Sequence, residues 1–92
     1  MKYNKIEREM RKVMAFELAV RYCQEHGLSV DKLAEQQVHM LDDMIMFATP
    51  SGVEPKGLTN DLATMPIPAL MLIYEDGKLR FEETEHTKRL LT

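Results

Sequence analysis

From residue 3 to residue 26 the chain contains neither Gly nor Pro, is rich in Glu, Arg, Met, Ala and Leu, and meets Gly27 at its end. That composition favours helix, and a glycine suits the left-handed position after a last turn. Successive helical residues rotate by about 100°. On that wheel Tyr3, Ile6, Met10, Val13 and Met14 share one side. Later, the same side carries Glu17, Arg21 and Gln24, while Phe16, Ala19, Val20 and Cys23, flanked by Ala15, Leu18 and Tyr22, lie roughly opposite. The two halves of the segment therefore have different sides to bury. Either the helix kinks or ends near Val13–Ala15, where no Pro or Gly forces it, or its first half packs on something that its second half does not touch.

The expected fold class is α+β. Residues 29–48 read as a second helix, capped by Ser29 or Asp31 and stopped before Pro50. With so short a loop between them, the two helices should pack as an N-terminal antiparallel helical hairpin. The broad apolar side of this second helix includes Leu33, Val38, Leu41, Ile45 and Phe47. Gln37 lies near its middle and would need a hydrogen-bond partner, and Met46 projects from the polar side. Pro50, Gly52, Pro55, Gly57, Pro66 and Pro68 then punctuate a long Pro/Gly-containing connection, with a turn at Glu54–Gly57 and one helical turn at Thr59–Leu62.

The apolar run 69–74, the Asp76-Gly77 turn signal and the alternation of 78–83 predict a C-terminal β-hairpin. Its register would set Tyr74 opposite Leu79, Leu72 opposite Phe81, Ile73 opposite Arg80 and Met71 opposite Glu82. The first strand is apolar on both faces and its partner on one, so the second should be the edge. Residues 84–91 predict a short terminal helix with Leu90 and Leu91 packing back.

Ninety-two residues fit one small domain, 1–92, with 1–14 as a partner-contacting arm. Residues 1–14 hold five basic residues against two acidic ones, a net +3, while the remainder holds seven against thirteen, a net −6. That acidic body, with no aromatic residues interleaved among the basic ones, argues against nucleic acid as a partner. Leu28–Ala34 has a slight helix-turn-helix flavour but lacks a basic third helix behind it. No apolar run is long enough for a membrane span, and a single Cys fits a reducing, cytoplasmic setting.

No catalytic, cofactor or metal motif stands out. Glu35, His39, Asp42 and Asp43 would share one side of a helix over 29–48, where the i, i+4 spacing could bring carboxylate and imidazole to one cation; a solvated polar face is the simpler expectation. His26 suits the C-terminus of the first helix, where the dipole favours an imidazolium. His86 sits in an acidic segment with Glu82, Glu83 and Glu85. There is no GxSxG elbow and no P-loop.

Ile67-Pro68-Ala69-Leu70-Met71-Leu72-Ile73, followed by Asp76-Gly77-Lys78-Leu79, resembles the proline, strand, turn and edge strand of thioredoxin-like domains. Tyr22-Cys23-Gln24-Glu25-His26 lies upstream where that family keeps its Cys-x-x-Cys, with His26 in place of the second cysteine. The resemblance implies a degenerate thioredoxin-like domain over most of 14–91. In it residues 14–22 would be a strand, Glu17 a buried acid, Cys23 a single reactive nucleophile and Pro68 a cis-proline.

The residues taken alone favour another expectation: a small non-enzymatic interaction or regulatory domain that forms a homo-oligomer, a homodimer through its N-terminal helix, or meets another protein there. Its contact residues would be Ile6, Met10, Val13 and Met14, with Met46, and it would need no cofactor.

Overall fold

A computed structural model describes residues 4–49 and 66–92. Helix α1 spans Lys5–His26 without a break. It starts where Asn4 accepts a hydrogen bond from the Glu7 amide at 2.8 Å and donates one from its own side chain to Glu7 Oε1 at 2.8 Å, a reciprocal cap that satisfies an otherwise orphan N–H. It stops at Gly27, at φ 71°, whose amide returns to the Cys23 carbonyl. The Leu28 amide reaches the same carbonyl at 2.8 Å. His26, the last residue of the helix, donates from Nδ1 to the Tyr22 carbonyl at 2.9 Å.

The second helix is much shorter than the sequence suggests. Helix α2 covers only Val30–Ala34, capped by Ser29 Oγ, which accepts from the Lys32 amide at 3.1 Å. Strands β1 (Gln37–Met40) and β2 (Met44–Thr49) follow. They pair antiparallel, with Val38 opposite Phe47 and Met40 opposite Ile45. The helical hairpin is thus corrected to one long helix, one short helix and a first β-hairpin. The physical reason lies at Asp42-Asp43. Both residues favour turns over helix interior. The buried-side alternation changes phase across them, from Val38 and Met40 to Ile45 and Phe47. A two-residue turn requires that phase change, and the Leu41 amide closes the turn on the Met44 carbonyl at 2.8 Å. A wheel projection blurs those two short alternations into one wide apolar face.

Strand β3 (Ile67–Glu75) pairs with β2, and β4 (Lys78–Glu82) pairs with β3, giving one antiparallel sheet of order β1-β2-β3-β4. The second hairpin has the register read from the sequence, Tyr74 opposite Leu79 through Met71 opposite Glu82, and β4 lies at an edge of the sheet. Its turn places Asp76 at φ 53° and Gly77 at φ 74°, the paired left-handed residues of a tight two-residue hairpin. Helix α3 (Thr87–Leu90) returns Leu91 to the core, and the Ser29 amide donates to the Leu91 carbonyl at 2.5 Å. The connection through Glu54–Gly57 and Thr59–Leu62 lies outside the described residues.

The core lies between α1 and one face of the sheet. Ala15, Ala19 and Cys23, at i, i+4 and i+8, form the inner line of α1, and Phe47, Leu70, Leu72, Ile45 and Leu33 lie opposite. Phe16, Leu18, Val20 and Tyr22 border that line and are partly covered. The later half of α1 therefore buries the side the helical wheel assigned to it.

Candidate functional site

The earlier half of α1 has no such cover among the described residues. Ile6 is 72% exposed, Met10 59%, Val13 58% and Met14 59%. Isolated exposed apolar side chains are ordinary, but a contiguous patch of them on one helix is not. Met10 follows Ile6 by four residues and Met14 follows Met10 by four, so the three stack along one side. Met14 then enters a groove of about 340 Å³ between α1 and the sheet. Leu18, Ile45, Leu72, Tyr74 and Leu79 line it beside Met14. Tyr74 and Leu79, cross-strand partners at the tip of the second hairpin, are themselves 50% and 57% exposed. One apolar surface thus runs from Ile6 along the helix and down into the groove.

Sequence reasoning placed the helical part of this surface and missed the sheet part. Tyr74 and Leu79 were legible as a cross-strand pair. Their meeting with Met14 depends on how α1 crosses the sheet, which no local pattern encodes. Met46 does not lie beside Ile6, Met10, Val13 and Met14. The sequence pattern predicts it on a helix, but it lies in β2, directly opposite Met71, on the sheet face turned away from the core residues Ile45 and Phe47.

Compared with known proteins, the chain matches no protein family, no curated protein and no solved structure. The surface must be read from its own chemistry.

The thiol geometry implied by the thioredoxin-like resemblance is not present. Residues 14–22 are helix, not strand, and Glu17 is exposed rather than buried. Cys23 lies near the C-terminal end of α1, fully buried. Burial pushes its thiol pKa up, and the nearby negative charge of Glu83 adds to the shift. Nucleophilic cysteines show the opposite, a lowered pKa and partial exposure. Pro68 lies in β3, and the described residues contain no cis peptide bond.

The helical spacing of Glu35, His39, Asp42 and Asp43 also disappears: Glu35 ends α2, His39 is in β1 and both aspartates form the turn. No group of three His, Cys, Asp or Glu residues converges on a metal position among the described residues. Gln37 lies at the exposed start of β1, and its neighbour Gln36 is the residue that finds partners. Gln36 accepts from Thr49 Oγ1 at 2.7 Å and donates to the Lys32 carbonyl at 3.1 Å. His86 contacts Glu85 at 3.3 Å and Arg89 at 2.7 Å. No helix among the described residues is long and apolar enough to cross a membrane.

Proposed function

We propose that the protein is a small non-enzymatic interaction domain that pairs with a second copy of itself through the N-terminal half of α1. The observation that carries this is the exposed line Ile6, Met10, Val13 and Met14, continuous with the groove at Tyr74 and Leu79. Burying a side chain of this size contributes about 1.5–3 kcal/mol, so a few such anchors supply the core of an interface. Met suits the role because its unbranched thioether adapts to an irregular partner surface. Lys5, Arg8 and Lys12 lie on the side of α1 opposite the line, so this end of the chain carries positive charge while the rest of the chain is acidic. A second copy therefore offers a complementary field that steers the encounter.

Sedimentation equilibrium at tens of micromolar tests the pairing. Twice the 10.7 kDa chain mass is expected for the natural sequence. Met10→Glu, which places a charge at the centre of the line, should give a monomer of unchanged helicity. A natural chain that stays monomeric at that concentration would exclude the homodimer.

A further inference from the structure

The sheet has a second face, turned away from α1. In an antiparallel sheet, directly opposed residues project from the same side, with Cβ atoms about 4.5–5.5 Å apart. Residue His39 on β1 is opposite Met46 on β2, and Met46 is opposite Met71 on β3. Their strand neighbours Val38, Ile45, Phe47, Leu70 and Leu72 belong to the core, so this row of three lies on the outer face. Met44 is two residues from Met46 on the same side. The row continues to Glu82 on β4, whose carboxylate is taken by Arg80 Nη1 at 2.8 Å.

Within this row His39 Nε2 is buried and has no hydrogen-bond partner among the described residues. A buried imidazole nitrogen without a partner forfeits its hydration for nothing in return. With the proton on Nδ1, Nε2 presents a lone pair, and the two side chains next in the row are thioethers. One imidazole and two thioethers form a soft donor set. Such a set suits Cu(I) and offers little to Mg²⁺ or Ca²⁺, which need oxygen ligands, or to Zn²⁺, which takes thiolate, imidazole and carboxylate.

We propose that His39, Met46 and Met71 bind a single Cu(I) ion on the outer face of the sheet. The ion is held without a change of oxidation state, through His39 Nε2 and the two thioether sulfurs. The site is independent of the pairing through α1, since no residue of the row belongs to that surface.

The test is an anaerobic titration of the full chain with Cu(I) in the presence of bicinchoninate as a coloured competitor. The chain should withdraw one equivalent of Cu(I). Met46→Leu, Met71→Leu and His39→Gln should each weaken binding by at least about tenfold, the least that losing even a supporting group costs a metal site. Met10→Leu should leave the affinity unchanged, and Cys23→Ala should retain it. No withdrawal of Cu(I), unchanged affinity in both row methionine variants, or loss of binding on removal of Cys23 would overturn the assignment. Leu replaces Met with little change in volume. In the natural chain, Ag(I) is a diamagnetic substitute that avoids reliance on any variant. It should move the methyl signals of Met46 and Met71 and the ring signals of His39. Shifts confined to Met10 and Met14 would equally refute the site.

Discussion

Tyr22 shows how one side chain on α1 fastens the helix to the end of the sheet. Its ring stacks on His26 at 3.9 Å between centroids and meets Phe81 of β4 at 4.8 Å. Its hydroxyl donates to Glu83 Oε2 at 2.5 Å. Burial, then the hydrogen bond to Glu83 and its charge, push the Tyr22 pKa up to about 12. An unfolded tyrosine ionises near about 10. Between these values the folded chain holds a proton that the unfolded chain has lost, so stability falls as pH rises. The contribution is complete below about pH 10 and disappears as the pH passes about 12. Urea midpoints measured across that window should fall more steeply for the natural chain than for Tyr22→Phe, and equal slopes would remove this role. The sequence shows Tyr22 as a border residue of the helix but not its partner, because Glu83 is 61 positions away.

Among the elements, the ends of α1 and the tip of the second hairpin are the most locally determined. Gly27 is left-handed at φ 71°, and a Cβ placed there would meet nothing within 4 Å. The cost of Gly27→Ala is therefore conformational rather than steric, about 1–2 kcal/mol. Thermal or urea unfolding should show that loss, and a neutral result would mean the helix can end another way. Asp76-Gly77 fixes its turn for the same reason, since local backbone preference and turn length set the register together. Residues 37–49 show the opposite case. Leu and Met suit helix or strand, so the apolar pattern alone did not separate a broad helical face from two short alternating strands. Asp42-Asp43 was the readable sign of the turn. The four-residue strand β1 gains its stability from pairing with β2, a tertiary context that overrides weak local preference.

At the scale of the molecule, a small domain depends on few large side chains. Phe47 is fully buried, in the same core cluster as the small-residue line of α1. Phe47→Ala should cost about 3–5 kcal/mol, most of the stability available to a domain this small. Denaturation with urea would measure it, and a loss below about 1 kcal/mol would place the core elsewhere. The sequence by itself determined α1 and its end at Gly27, the second hairpin with its register, the return of the C-terminal leucines and the change of apolar side along α1. Each depends on neighbours a few positions apart, where backbone preference and periodicity act directly. Only the tertiary structure decided that 37–49 is a hairpin, that Met14 meets Tyr74 and Leu79, and that His39, Met46 and Met71 align across three strands. Those outcomes depend on which distant surfaces are buried together, a balance of packing over the whole chain that no short window of sequence contains.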